Sequence, residues 1–416
     1  MVIPSWGRMI FLGLSLLITG NTYGQSFSDV TAERWIGDSV AITEVNSVWA
    51  DINNDGNLDL IYSGLDTLGL PISGVYINSG SPDFQLSRLN SGGIPGLKSA
   101  AIAAGDVDND GDIDILISGE TFGGSFVTDV YKNNGSGAFS STFDLEGTSR
   151  GAIALGDFDN DGDLDAVISG ESASGIYAEV YVNNGNGRMN QSQTLTGLVD
   201  GDIDLGDFDA DGDLDIAICG ASTLTGEDPK LIIYRQDDAG DFAEFSSLQG
   251  FVFADLEWAD LNLDGFLELL VAGATNSDKT EAQALVYTYD NAGGAFDATN
   301  LGIKLVDARV SIGDYTNDGL SDVLITGDNI DDPTDPKPTL LLLKNGSTTN
   351  LNAALDVSLE VTVDEFVWTS ELAGIQRDVK WADINNDQNL DFISLTSFIT
   401  AGNDTFETLI LYESVI

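Results

Sequence analysis

Three stretches of the chain read Asp-x-Asp-x-Asp-Gly-Asp-x-Asp. They are Asp106, Asp108, Asp110, Gly111, Asp112 and Asp114; Asp157, Asp159, Asp161, Gly162, Asp163 and Asp165; and Asp207, Asp209, Asp211, Gly212, Asp213 and Asp215. Alternate carboxylates in one tight turn converge on a hard divalent cation. Positions one, three and five offer side-chain oxygens, position seven its backbone carbonyl, and position nine a further carboxylate. Glycine at six permits the sharp turn. Left without a cation, so many carboxylates in one turn repel one another.

Four further stretches keep this order with changes. Asp51, Asn53, Asp55, Gly56 and Asp59 keep the oxygen set with an amide at position three, and Asn57 stands at seven. Asp260, Asn262, Asp264 and Gly265 end in the longer Glu268. Asp314, Thr316, Asp318, Gly319 and Asp322 put a hydroxyl at three. Asp383, Asn385, Asp387 and Asp391 have Gln388 where glycine belongs, which puts that site most in doubt. The expectation is up to seven Ca2+ sites.

The loops dictate the elements around them. They recur about every 50 to 55 residues, with a last interval near 70. A short alternating strand such as Ala152–Leu155 precedes the loop. An apolar strand closed by glycine follows, as in Leu164–Gly170. A third strand carries tyrosine, as at Tyr131 and Tyr181, and a turn such as Asn133-Asn134-Gly135 leads to a fourth. The expected fold is all-β: a single-domain, seven-bladed β-propeller of four-stranded blades over residues 25–416. An EF-hand uses a similar loop but needs flanking helices and Glu at position twelve; here that position is Ile117, Ile168 or Ile218.

The seventh unit stops after its third strand, near Tyr412, one strand short. Ser26–Val30 resembles the opening of the other fourth strands, so the N-terminal strand is expected to complete the last blade and close the ring. Before it, Arg8, the apolar run Met9–Ile18 and small residues up to Gly24 read as a secretory signal over residues 1–24. The run is too short to span a bilayer comfortably, and no other stretch is long and apolar enough to do so. The mature chain is therefore expected to be secreted or at the cell surface, without membrane insertion.

These units resemble the FG-GAP or VCBS repeats of integrin α-subunit propellers and of many secreted bacterial proteins, over about residues 26–416. The resemblance implies a seven-bladed propeller with calcium held between the first two strands of each blade. Gln388 and the long insert before the last loop depart from the pattern. A shared fold says little about ligand.

Of 416 residues, 68 are acidic and 16 basic, giving a formal charge of -52, which excludes nucleic-acid binding. There is no histidine, which removes the commonest general base and the usual zinc ligand. The single cysteine, Cys219, lies in an apolar run and reads as a core residue. Trp49, Trp258 and Trp381 precede loops one, five and seven and are expected to pack between blades, the other reading being sugar stacking. Loops 65–73, 120–128, 221–230, 274–283 and 328–339 open on the opposite face and vary most.

Three functions fit. The first is an extracellular binding or adhesion module for a glycan or surface protein. The second is a calcium-dependent, lyase-like enzyme acting on polysaccharide. The third is a structural component of a surface assembly. Nearly every clustered carboxylate is already committed to a loop, which favours the first and leaves no catalytic residue assigned.

Overall fold

β-Branched and aromatic residues alternate between glycine- and aspartate-rich turns, and every regular element among the described residues is a strand. The computed structural model describes residues 26–29, 35–36, 42–66, 68–89, 93–237, 239–330, 337–345, 355–361, 378–399 and 405–415. The expected signal segment, residues 1–24, lies outside them, as do Asp331, Asp332 and Asp335. No helix of the described residues is long and apolar enough to cross a membrane.

The described strands form five sheets, two of them seven-stranded, and each seven-stranded sheet divides at one long shared strand, Ser140–Gly156 or Phe242–Ala259, so that the pairings are grouped as units one to seven. Unit one comprises Ile42–Ala50, Asp59–Asp66, Pro71–Asn78 and Leu86–Arg88. Unit two comprises Lys98–Gly105, Asp114–Glu120, Phe126–Lys132 and the first half of Ser140–Gly156. The second half of that long strand opens unit three, followed by Asp165–Ser172, Gly175–Val182 and Asn190–Leu195. Phe242–Ala259 in the same way ends unit four (Ile203–Gly206, Asp215–Ala221, Pro229–Gln236) and opens unit five (Glu268–Ala274, Ala282–Asp290, Ala295–Asn300). Unit six is Leu305–Gly313, Asp322–Asn329, Lys337–Asn345 and Leu355–Val361.

Unit seven is Val379–Ala382, Asp391–Ile399 and Thr405–Val415, and its outer strand is Ser26–Asp29. The register runs from Ser26 opposite Val415 to Asp29 opposite Tyr412, as the strand count requires. A few residues on, Trp35–Ile36 pairs in parallel with Leu86–Ser87 of unit one, a contact no sequence pattern announced. The N-terminal segment thus ties the last unit to the first.

The core lies between units. Position two of every loop is a buried plug: Ile52, Val107, Phe158, Phe208, Leu261, Tyr315 and Ile384. Val107 packs with Ile168, Tyr181 and Met189 of the following unit. Ile384 of unit seven packs with Leu60, Tyr62 and Tyr76 of unit one. Trp258 stacks on Phe208 with ring centroids 5.8 Å apart, and Trp381 on Tyr315 at the same separation, so both tryptophans pack between units. Trp49 packs against the cluster shared by units seven and one. Cys219 is buried in the core, as expected.

Glycine before the loop has a packing reason: a Cβ at Gly105 would meet Leu164 at 2.5 Å, and one at Gly206 would meet Leu267 at 2.7 Å. Each glycine makes room for the next unit's position-eight leucine.

Candidate metal centre

The loops fold by hydrogen bonds to their own first carboxylate. In loop two, Asp106 accepts the backbone N–H of Asp110 at 3.1 Å and of Gly111 at 2.9 Å. The N–H of Asp112 donates to Asp110 at 3.0 Å. The same three bonds recur around Asp157, Asp161 and Asp163, and around Asp207, Asp211 and Asp213. Loops one, five, six and seven repeat them from Asp51, Asp260, Asp314 and Asp383. Where position three is an amide, its oxygen also accepts the N–H of position five, as Asn53 does from Asp55 and Asn262 from Asp264. Asn385 does the same for Asp387 in loop seven. In loop six the Thr316 hydroxyl turns to Asp322 at 3.2 Å.

Position nine is the buried floor. Asp59, Asp114, Asp165, Asp215, Glu268, Asp322 and Asp391 are all fully buried. One oxygen of Asp165 accepts the N–H of Phe158 at 2.9 Å and the other that of Asn183 at 2.7 Å. Burial nonetheless pushes these carboxyls up, Asp114 and Asp165 to about 6 and Asp59, Asp215 and Glu268 to about 7. Glu268 uses its extra length to accept from Asn262 at 2.7 Å.

In loops two, three and four the carboxylates of positions one, three and nine each bring an oxygen within 4.8 Å of the others: Asp106, Asp108 and Asp114; Asp157, Asp159 and Asp165; Asp207, Asp209 and Asp215. Asp108 Oδ1 and Asp209 Oδ1 are buried without a hydrogen-bond partner. A buried carboxylate oxygen left in this way is costly unless a cation satisfies it. The donors are all oxygens, with no nitrogen or sulfur, which suits a hard divalent cation. The clusters can therefore hold a metal ion. The second oxygens of Asp108 and Asp209 take Lys132 at 2.6 Å and Arg235 at 3.3 Å, whereas in loop three the place of Lys132 is taken by Val182, which carries no charge.

Three features went unread in the sequence. The side chains at position seven are turned to the neighbouring loop: Asp112, Asp163, Asp213 and Asn57 accept amide donors from the loop before. One side-chain oxygen of each is thereby engaged, and none of these side chains belongs to the clusters formed by positions one, three and nine of loops two to four.

A second feature is a set of clamps at the ends of third strands. Asn133 Nδ2 donates to Ile52 O of unit one at 2.7 Å and to its own Ile113 O at 3.1 Å. Asn78, Asn183 and Gln236 reach the preceding unit in the same way. The sequence showed these only as turn residues.

The third is a row of charges five and three residues before the loops. Asp202 and Asp204 accept the N–H groups of Leu256 and Trp258, and Asp255 and Glu257 accept those of Val310 and Ile312, each across a unit boundary. They cap the free edges of the next unit's first strand. Arg309 and Lys380 lie in the field of these acids and of Asp378.

Burial pushes Glu257 up to about 8, outweighing the attraction of Lys380. The folded chain thus keeps this proton at pH values where the unfolded chain has lost it. Stability from this group falls as pH rises from about 5 to about 8. Glu257→Gln, neutral throughout, is expected to melt increasingly above the parent as pH climbs through that window. Melting curves from pH 5 to 9 in saturating calcium check this, and a constant difference across the range contradicts it.

Gln388 takes the glycine position without losing the loop. Its φ is 71°, and its N–H donates to Asp383 at 2.8 Å as the glycines do. At the equivalent Gly111, Gly162 and Gly212 a Cβ would meet nothing within 4 Å, so the cost is backbone strain without a clash. Gln388→Gly is expected to stabilise the chain by about 1 kcal/mol, read as a raised melting temperature in calcium; a lowered one contradicts the strain.

Residues 157–218 and 207–271 match the model of the FG-GAP-like repeat. Residues 157–271 carry FG-GAP-like repeats. The match spans loops three, four and five and ends in the strand Glu268–Ala274. No curated protein sequence matches the chain. Among solved structures, the chain resembles the six-bladed β-propeller lectin of Aleuria aurantia at 10% identity, covering 78% of this chain and 100% of that one with a TM-score of 0.43. It also resembles a protein of unknown function from Dyadobacter fermentans (12% identity, 92% and 97% covered, TM-score 0.43). A third likeness is the exo-β-1,3-galactanase of Phanerochaete chrysosporium (10% identity, 94% and 94% covered, TM-score 0.34). These are distant likenesses, from which no ligand or reaction is transferred.

Proposed function

We propose that the FG-GAP-like repeats build a secreted, calcium-loaded, seven-bladed propeller that acts as an extracellular binding module. Residues 1–24 are its signal peptide and the remainder one domain. Calcium is held by positions one, three, five and nine and by the carbonyl of seven. The observation that carries the binding role is where apolar surface is exposed. Of the five exposed large hydrophobics among the described residues, Leu68, Leu70, Phe122 and Leu224 stand on hairpin tips between second and third strands. The acidic loops join first to second strands, so these tips lie at the opposite end of the antiparallel units. Leu68 and Phe122, on the corresponding tips of consecutive units, are 80% and 77% exposed. The fifth, Leu263, lies in loop five.

Below the tips the surface is braced. Arg150 forms an ion pair with Asp200, reaches Glu171 at 3.1 Å and donates to Leu224 O. Lys279 binds Asp307 at 2.6 Å and lies 4.1 Å above the Phe253 ring. Apolar tips on rigid, ion-paired bases suit a surface protein, with a glycan as the second ligand class.

The test is retention of the labelled mature chain on printed glycans and printed extracellular proteins, with calcium and with chelator. Expected is calcium-dependent retention that Phe122→Ser with Leu68→Ser abolishes at unchanged melting temperature. Absence of retention on both arrays overturns the binding role, and depolymerisation of an acidic polysaccharide replaces it with the enzymatic one.

A further inference from the structure

We infer that six of the seven acidic loops are coupled in series: position four of a loop holds position seven of the next through five direct hydrogen bonds, so that calcium in one loop prepares its neighbour. This rests on the calcium reading above. All seven position-four residues have positive φ: Asn54 58°, Asn109 57°, Asn160 57°, Ala210 58°, Leu263 57°, Asn317 55° and Asn386 56°. That region is cheap for asparagine and costly for alanine or leucine. Its retention by Ala210 and Leu263 shows that the loop imposes it. In this conformation the side chain leaves its own loop and points at the next.

The contacts follow the residue types. Asn54 Nδ2 donates to Asp112 Oδ1 at 2.7 Å, Asn109 to Asp163 at 2.6 Å, and Asn160 to Asp213 at 3.3 Å. Asn317 donates to Asn389 at 3.0 Å. Asn386 closes the circuit from the last loop to the first, reaching Asn57 Oδ1 at 2.9 Å and Gly56 O at 3.2 Å. Two links are missing, and there both partners are apolar: Ala210 faces a loop with Phe266 at position seven, and Leu263 one with Leu320. A donor never meets an apolar partner, nor an acceptor an apolar donor position. The two positions therefore act as a pair.

Position four lies between positions three and five, whose oxygens converge on the cation. An ion that draws those two together fixes the backbone that aims position four. At the receiving end, position seven has its side chain held by the neighbour and its N–H donated to its own position five, as Asp163 does to Asp161 at 2.9 Å. Both restraints fix the carbonyl that it offers to its own ion. Preorganising a ligand in this way raises affinity, and the coupling is reciprocal. The linked run is loop six to seven to one to two to three to four; loop five stands outside it.

The test uses Asn109→Gly with Asn160→Gly in the mature chain, since glycine keeps the positive φ and loses only the donor. Calcium binding is followed by calorimetry, and melting is followed with calcium and with chelator. Expected is a parent isotherm steeper than independent sites allow. The variant binds the same number of ions with about five-fold weaker apparent affinity and a shallower isotherm, and its melting temperature falls more in calcium than in chelator. An unchanged isotherm overturns the coupling, as does an equal loss of melting temperature with and without calcium, which marks a merely structural strap. A parent that binds no calcium overturns the underlying reading as well. Ala210→Asn with Phe266→Asp installs a missing link and carries the test should the glycine variant not fold: a steeper isotherm supports the coupling and an unchanged one overturns it.

Discussion

Chelation of calcium is expected to lower the melting temperature by roughly 5 °C if three loops bind and roughly 12 °C if all seven do. Calcium that binds only the folded loops stabilises each by about 1.4 kcal/mol at ten times its dissociation constant. A chain of this size gains roughly 0.8 kcal/mol per kelvin of unfolding entropy at its midpoint, so three filled loops correspond to roughly 5 °C and seven to roughly 12 °C by that ratio. The structure explains why the folded loops alone bind. Asp106, Asp108 and Asp114 bring oxygens within 4.8 Å only once the turn has closed and position nine is buried beneath it. Extracellular sites of this type bind at about 10⁻⁴ to 10⁻³ M, so about 10 mM calcium reaches ten times the dissociation constant throughout that range. Magnesium, which prefers a rigid octahedron and keeps its water, is expected to restore little. Calorimetric melting with calcium, chelator or magnesium decides this, and equal melting in all three conditions contradicts it.

Deleting residues 25–36 is expected to destabilise the chain by several kcal/mol and to promote association. The segment makes two joints in sequence. Ser26–Asp29 forms the outer strand of unit seven against Thr405–Val415, and Trp35–Ile36 pairs with Leu86–Ser87 of unit one. Its loss bares the edge of a long strand, where another chain can pair. It also removes one of the ties between the ends of the chain. The other ties persist: Ile384 in the cluster with Leu60 and Tyr76, and Asn78 donating to Ile384 O at 2.9 Å. A loosened ring is therefore expected instead of an unfolded one. Melting of the truncated chain and its mass by light scattering test this; an unchanged melting temperature in a monomer would falsify the closure.

Much of this was legible because the repeats carry chemistry at fixed spacing. Asp106 to Asp114 and its six relatives located the turns, and the strands around them were set by alternation and by glycine. The missing fourth strand of the last unit pointed to Ser26–Asp29, which pairs there. Trp258 and Trp381 were read as packing residues and stack on Phe208 and Tyr315. Other features were hidden because their partners sit a whole unit away. Asn133 looked like a turn residue, and its bond to Ile52 O spans 81 positions. Asp202, Asp204, Asp255 and Glu257 looked like part of a general acidic excess until they were seen to cap the neighbouring strand edges.

The sequence by itself determined the acidic loops, their order of donors and the strands that must hold them, since turn chemistry and alternation are local properties of a few adjacent residues. Tertiary structure alone decided which oxygens of those loops remain for a metal. Position nine becomes a buried floor only when the third strand packs over it, and position seven gives its side chain away only because the preceding loop stands within reach. Both depend on the spacing between units, which depends on plugs such as Val107 and Phe208 filling the gap between sheets, and no short stretch of chain encodes that distance.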